Sequence, residues 1–184
     1  MADASLDNWV ASVRTLEEAK NFVLTVGACG ILHDSKGGYS LWDAIDAPDK
    51  LPGESGWGEK MGYVWSWKNE LPSTYPHEIF YGKRKQGAML CSMEALKAFY
   101  SETYKPLESL SETARSLYRI IEQAPVNNKE LKQLAFMVGK DQKSAYDKAL
   151  LELQLTFQIV RVNSTEVDGD TWTPFTTQYP DFKP

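Results

Sequence analysis

Helix-start signals occur in two series along this chain, and a pair of short apolar runs follows each series. In the first series, Thr15 with Glu18 forms a capping box, and an apolar stripe at helical spacing extends from there to Val26. Gly27 predicts the end of this helix, and the apolar residues 29–33 predict a short strand after it.

The rest of the first half predicts two more helices and a hairpin. Ser40 caps a short helix. Residues 57–71 have helical spacing up to Pro72, where we expect the helix to end because the residue before a proline avoids helical angles. Residues 79–81 and 88–91 are apolar runs on either side of a polar turn with a glycine at each end, which predicts a hairpin.

The second half repeats this order of signals. Ser109 with Glu112 predicts a capped helix as far as residue 123, and Asn127 with Glu130 predicts the next one through residue 137. Gly139 predicts the left-handed residue that stops this second helix.

A third helix and a second hairpin are expected to complete this half. Asp141 predicts the start of the helix, which runs to about residue 155 and buries Ala145, Ala149 or Leu150, and Leu153. Residues 157–162 predict a strand, and Asp168 with the glycine after it predicts a hairpin turn. Residues 171–177 predict the returning strand, which its internal proline marks as an edge strand.

These patterns predict an α+β protein of two tandem winged-helix units, mainly helical and with two short β-hairpins. We expect an N-terminal arm at residues 1–14 and the first winged-helix unit at 15–91. A connecting helix is expected at 92–105 and the second unit at 106–184. A single continuous sheet would contradict this prediction.

Charge and composition exclude several classes of protein. The net charge of −5 argues against coating nucleic acid by bulk attraction, so a DNA-binding role depends on where the basic residues lie. No apolar run approaches the roughly 18 residues of a membrane-spanning helix, and no secretory signal pattern is present, so we expect a cytoplasmic protein without membrane association.

Cofactor and metal motifs are not found in the sequence. Cys29 and Cys91 are too few for a disulfide scaffold or a four-thiolate zinc site, and the histidines His33 and His77 lie far apart along the chain. No phosphate-binding loop or dinucleotide motif occurs. We therefore expect neither a metal nor a cofactor.

Two basic segments are candidate nucleic-acid contacts. Lys83, Arg84 and Lys85 form the tip of the predicted first hairpin, where a wing can lie along a phosphate backbone; the alternative is that these charges protect an exposed hairpin edge. In the second unit, the helix from residue 141 is the candidate recognition helix, with side chains expected to face outward toward bases or phosphates: Lys140, Gln142, Lys143, Tyr146 and Lys148. The alternative is an ordinary solvated helix face, and acidic residues on this helix and at the second hairpin tip favour that alternative.

Tryptophan is unusually frequent, with six residues in the chain and four of them between positions 42 and 67. These side chains either fill a core or form a stacking wall for a flat ligand or a base. The candidate pocket residues are Trp42, Asp43, Trp65, Trp67 and Lys68. On a helix Trp65 and Lys68 share a face, so Trp67 is exposed or covered by the other unit if Trp65 enters the core.

Three segments resemble a known family: Ser40-Leu-Trp-Asp; residues 62–72 (GYVWSWKNELP) followed by residues 80–83; and residues 144–154 (SAYDKALLELQ). Together they resemble the AlkZ-related winged-helix proteins, which are near the AlkZ-like DNA glycosylases, over about residues 14–180. The resemblance implies stacked winged helices and an association with DNA. It does not imply catalysis, because those glycosylases use an N-terminal Gln-x-Gln or Gln-x-Asp element, whereas the first glutamine here is Gln86.

Three functional hypotheses follow. The leading one is binding to double-stranded DNA, without a recognisable catalytic motif. The second is a glycosylase-like enzyme that acts on modified bases, with Asp43 as the most plausible acid. The third is a protein-interaction module that has kept the winged-helix form without affinity for DNA, which suits the acidic composition.

Overall fold

The computed structural model of the protein describes residues 9–33, 38–85, 87–162 and 169–182. Within these ranges the fold is α+β, with eight α-helices and two small three-stranded antiparallel sheets. The chain divides into two compact units, of which the first comprises Met1–Tyr81 with Gln86–Leu96 and the second Gly82–Lys85 with Lys97–Pro184.

The first sheet joins the strand after the first helix to the predicted hairpin. The elements in this part of the chain are α1 (Leu16–Val26), β1 (Ala28–Gly30), α2 (Leu41–Ala44), α3 (Glu59–Thr74), β2 (Ile79–Arg84) and β3 (Gly87–Ser92). The strand order is β1-β3-β2, and β1 pairs antiparallel with β3 so that Ala28 lies opposite Cys91. The hairpin expected at residues 79–91 is therefore present, with Lys85 in its turn.

Helix α1 begins and ends where the sequence predicts. The hydroxyl of Thr15 accepts a hydrogen bond from the backbone N–H of Glu18 (3.2 Å), and the Glu18 carboxylate accepts one from the N–H of Thr15 (3.0 Å). Gly27, with a φ of +75°, ends the helix. The buried face of α1 packs into the first core, which includes Ala19, Phe22, Val23, Leu41, Val64, Trp67, Leu71, Ile79 and Leu90.

The sequence predicts that helix α3 ends before Pro72, but the helix continues to Thr74. Leu71 is fully buried and Pro72 is also buried, and the backbone N–H of Tyr75 donates to the Leu71 carbonyl at 2.9 Å. A proline inside a helix removes one backbone donor. Burial of Leu71 and Pro72 offsets that loss, so tertiary packing overrides the local preference.

The second unit contains the second sheet, of strand order β4-β6-β5. The elements that follow β3 are α4 (Met93–Thr103), α5 (Glu112–Ile121), β4 (Val126–Asn127), α6 (Asn128–Leu134), α7 (Lys143–Leu155), β5 (Ile159–Arg161), β6 (Thr171–Pro174) and α8 (Phe175–Gln178). A short 3-10 helix lies at Leu107–Ser109. The core formed by α5, α6 and α7 includes Ala114, Leu117, Ile121, Leu131, Tyr146, Ala149, Leu153 and Trp172.

Two of the three helix starts predicted for the second half are wrong. Asn127 caps α6 as expected, since its side chain accepts from the Glu130 N–H. However, Ser111 rather than Ser109 caps α5, because Ser109 ends the 3-10 helix and its hydroxyl donates to the Pro106 carbonyl at 2.7 Å.

Helix α7 begins after Gln142 rather than at Asp141. The side-chain oxygen of Gln142 accepts from the Gly139 N–H at 3.3 Å and holds the turn before the helix. Ala145, which was expected to be buried, is exposed. The larger Tyr146 takes the buried position one helical turn before Ala149 and Leu150.

The end of α6 and the path of β6 also differ from prediction. Helix α6 stops at Leu134, and the left-handed residue after it is Phe136, with a φ of +56°, rather than Gly139. Strand β6 is the middle strand of its sheet and not an edge. Pro174 is accommodated as its last residue, and α8 follows where the strand was expected to continue. The predicted hairpin tip at Asp168 lies outside the described residues.

A separate aromatic cluster lies beside the second sheet. Its members are Tyr100, Tyr104, Phe157, Phe175, Tyr179 and Phe182. Tyr100 and Phe175 are nearly parallel at a centroid distance of 5.6 Å, and Phe157 meets Phe175 edge to face at 5.2 Å. These rings anchor the last described residues of the chain and the carboxyl end of α7 to α4.

Candidate nucleic-acid interface

The tip of the first hairpin presents three exposed cations. Lys83, Arg84 and Lys85 are all exposed, and none of them forms an ion pair with a described acidic residue. The guanidinium of Arg84 lies 4.0 Å from the ring centre of Phe99, a cation–π contact that orients it. Because no described carboxylate pairs with these cations, their charges are available to an anion.

The outer face of α7 forms a second basic surface. An open depression of about 480 Å³ is lined by Lys140, Lys143, Ser144, Asp147, Lys148 and Leu151. Lys143 is paired with Asp147, whereas Lys140 and Lys148 form no ion pair with a described residue. The lining thus has an excess of positive charge, as expected for a surface that contacts phosphates.

Tyr146 does not belong to this surface, and its expected outward orientation is wrong. Its ring is buried in the second core, and its hydroxyl donates to Asn128 Oδ1 at 3.2 Å. Trp172 Nε1 donates to the same oxygen at 2.8 Å. Burial raises the pKa of Tyr146 to about 12. Gln142 is likewise engaged in the turn before α7, which leaves the lysines as the outward-facing members of the predicted set.

The tryptophans predicted to line a pocket lie in different environments. Trp67 is buried in the first core, while Trp65 is half exposed. Trp65 meets Trp57, which is more exposed still, edge to face at a centroid distance of 5.2 Å. Lys68 Nζ lies 4.2 Å from the centre of the Trp65 ring. The exposed aromatic pair is therefore Trp57 with Trp65. The sequence places Trp57 in the helix predicted at residues 57–71, whereas α3 begins at Glu59 and Trp57 lies in the loop before it.

Asp43 lies at the start of α2 in a small polar cluster. Its carboxylate accepts from the Ser40 hydroxyl at 2.6 Å, and His33 Nδ1 lies 2.9 Å from the same oxygen. Partial burial raises the pKa of Asp43, but the hydrogen bonds from Ser40 and His33 outweigh this effect and lower the pKa overall. An ionised carboxylate can only accept, so Nδ1 of His33 carries the proton in this contact.

The neighbour of Asp43, Trp42, is half-buried with Lys60 Nζ 5.3 Å from its ring centre. Sequence reasoning did not connect His33 with Asp43, because the two residues come from different elements that are adjacent only in the folded unit. In the described ranges no group of His, Cys, Asp and Glu side chains has an arrangement suited to a metal ion. No described helix is long and apolar enough to cross a membrane.

The model of a family described as AlkZ related matches residues 13–172. This match covers most of the chain, so the protein belongs to the AlkZ-related family, as its sequence resemblance predicts. No curated protein matches the chain.

Proposed function

We propose that this protein binds double-stranded DNA and that the hairpin tip formed by Lys83, Arg84 and Lys85 is its main phosphate contact. The observation that carries the proposal is the exposure of three consecutive cations without acidic partners among the described residues, in a chain whose net charge is −5. Membership of the AlkZ-related family supports a role connected with DNA. A cytoplasmic location is part of the same proposal.

The proposal includes the architecture of the two units. In each, helices precede an antiparallel strand pair, and a third strand from earlier in the unit completes the sheet. This order is typical of a winged helix, with units at residues 15–91 and 106–184 and the connecting helix at 92–105. In this interpretation α7 is the recognition helix of the second unit, and Lys140, Lys143 and Lys148 are its phosphate contacts.

The test is neutralisation of the hairpin tip. A variant with Lys83→Gln, Arg84→Gln and Lys85→Gln is compared with the wild type in fluorescence-anisotropy titrations against a short duplex at several salt concentrations. We expect the slope of log K against log salt to become shallower by about 2.7, since each lost phosphate contact contributes about 0.9. Affinity at about 50 mM salt should fall roughly tenfold or more.

A matched control removes the same charge elsewhere. Lys50, Lys97 and Lys105 are exposed, so replacing all three by glutamine changes the net charge equally. This control should leave the salt slope near the wild-type value. Equal effects of the two triple variants would contradict the assignment of the tip. Absence of binding to any duplex at low salt would contradict DNA binding itself and favour the protein-interaction module.

A further inference from the structure

The chain leaves α6 through a hydrogen-bonded turn that holds Phe136 in a left-handed conformation. The N–H of Met137 donates to the Lys132 carbonyl at 2.8 Å, and the N–H of Phe136 donates to the Gln133 carbonyl at 3.0 Å. These two bonds define a Schellman motif, in which the left-handed position is normally occupied by glycine. A phenylalanine there has a φ of +56° and incurs steric strain.

The exposed ring of Phe136 contributes little burial that could offset this strain. Its side chain is 84% exposed, and it forms no ring contact with a described aromatic residue. The carboxyl end of α7 provides an internal comparison, since Phe157 has a φ of +55° and the same pair of backbone bonds. Phe157, however, is buried in the aromatic cluster, so its burial offsets the strain. Strain without such an offset points to a function for Phe136.

Two neighbours of Phe136 are also exposed apolar side chains. Leu134 is 52% exposed and Val138 is 70% exposed, so with Phe136 three exposed apolar side chains lie within residues 134–138, a segment between α6 and α7 that we call the apolar ridge. A ridge of this kind is unfavourable in water unless a ligand covers it. The two backbone hydrogen bonds fix the backbone that carries these side chains before a ligand binds.

The charges near the ridge in the sequence indicate which kind of ligand it binds. Residues 129–148 contain five lysines and three acidic residues, and only Lys143 among these lysines forms an ion pair with a described residue. Lys132 instead lies over the Tyr146 ring, with its Nζ 4.9 Å from the ring centre. An apolar ridge whose neighbours in the sequence include four lysines without an ion pair to a described residue is complementary to a surface that combines apolar faces with phosphates, which is the surface of a DNA base step.

We propose that Phe136 is a wedge that inserts between adjacent base pairs and kinks the bound duplex. This inference rests on the proposed DNA binding and adds a deformation of the DNA to it. The aromatic ring replaces part of the stacking that the opened base step loses, Leu134 and Val138 cover the step edges, and the lysines contact the flanking phosphates. An acidic protein partner would satisfy the lysines but would not require a single protruding ring at a strained position.

The wedge is tested with a duplex that carries 2-aminopurine and a donor–acceptor dye pair at its ends. Opening of a base step raises the 2-aminopurine fluorescence, and a kink raises energy transfer between the dyes. For the wild type we expect both signals to rise on binding. In Phe136→Ala both changes should be lost and affinity should fall about tenfold, while the salt slope stays unchanged because the phosphate contacts remain.

Two further variants make the outcome decisive. Phe136→Trp keeps a flat apolar ring and should retain both signals, whereas Leu51→Ala removes another exposed apolar side chain elsewhere and should change neither. Binding of the wild type without either signal, or signals that persist in Phe136→Ala, would overturn the wedge while leaving DNA binding intact; the ridge would then be assigned to a protein partner. Failure of the wild type to bind the duplex would overturn both proposals.

Discussion

Phe136 and Phe157 occupy the same position of the same helix-ending motif, but their rings lie in opposite environments. Replacing Phe136 by glycine should raise the free energy of unfolding by about 1 kcal/mol, because glycine adopts a positive φ without strain and an exposed ring contributes little burial. Phe157→Gly relieves the same strain but removes a buried ring, so it should lower the free energy of unfolding by roughly 3 kcal/mol. Urea denaturation of the two variants checks both signs.

The buried thiol of Cys29 predicts a loss of stability at alkaline pH. Burial raises the pKa of Cys29 to about 12, whereas an unfolded cysteine titrates near 8.5. The folded state therefore holds the proton more tightly. Its contribution is fully present below about pH 8.5 and decreases by about 1.4 kcal/mol per pH unit as the pH rises toward 12.

The measurement that isolates this effect is urea denaturation between about pH 8 and pH 10, below the titration of most tyrosines. The free energy of unfolding should fall with pH more steeply in the wild type than in Cys29→Val, which carries no ionisable group at this position. Parallel pH profiles of the two proteins would show that the thiol does not titrate differently in the folded and unfolded states.

At the scale of the helices, Ser109 and Ser111 look equally suited to cap α5 in the sequence, but only Ser111 does so in the structure. Ser111 accepts from the Ala114 N–H, and its own N–H and hydroxyl donate to the Glu152 carboxylate of α7 at 3.2 and 2.5 Å. Ser111→Ala should therefore lower the free energy of unfolding by about 1–2 kcal/mol. Ser109→Ala should change it by less than about 0.5 kcal/mol. Urea denaturation of both variants measures the difference, and a larger effect at Ser109 would restore the sequence-based assignment of the cap.

Helix starts whose capping partners are close in sequence were predictable, as at Thr15 and Asn127. Two of the errors occur where distant contacts decide. Glu152 is remote in sequence from the cap it supports, and Pro72 stays helical because the core covers it. Strand β4 consists of two residues and has no periodicity of its own, so only its pairing with β6 identifies it.

In the candidate site, too, features with a local sequence signal were predictable and features decided by tertiary packing were not. The basic hairpin tip was predictable because a polar turn flanked by glycines is a local signal. Tyr146 was misplaced because the buried face of α7 depends on which side chains fit between α5 and α6. The exposure of Phe136 had no sequence signal, since a phenylalanine is rare at a left-handed position.

For the whole molecule, two short stretches of an acidic chain carry a net positive charge. The hairpin tip carries three positive charges and residues 129–148 a net of +2, so the remainder of the chain carries −10. Such a distribution makes these stretches more attractive to the phosphates of DNA than the rest of the chain taken together. Binding by this protein should therefore depend strongly on where a phosphate lies and weakly on total charge.

The whole protein is expected to release no alkylated bases from damaged duplex DNA. Base excision requires a positioned water or nucleophile and stabilisation of the developing charge. No glutamine precedes Gln86, and the carboxylate of Asp43 is occupied by hydrogen bonds with Ser40 and His33. Mass spectrometry of free bases after incubation with damaged DNA tests this expectation.

Asp43→Asn is the informative variant for that assay. Release by the wild type that disappears in Asp43→Asn would establish a glycosylase with Asp43 in its active site. Release that persists in the variant would also establish an enzyme, with a catalytic residue elsewhere in the chain.

In each sheet, the first strand pairs with a strand that lies much later in the sequence. Strand β1 pairs with β3 through Ala28 and Cys91, and β4 pairs with β6 through Val126 and Trp172. During synthesis, the ribosome must therefore release the chain well beyond Cys91 before the first sheet is complete, and beyond Trp172 for the second. Until then β1 and β4 have exposed backbone groups, and a nascent chain that stalls in either interval presents them to chaperones or to other nascent chains.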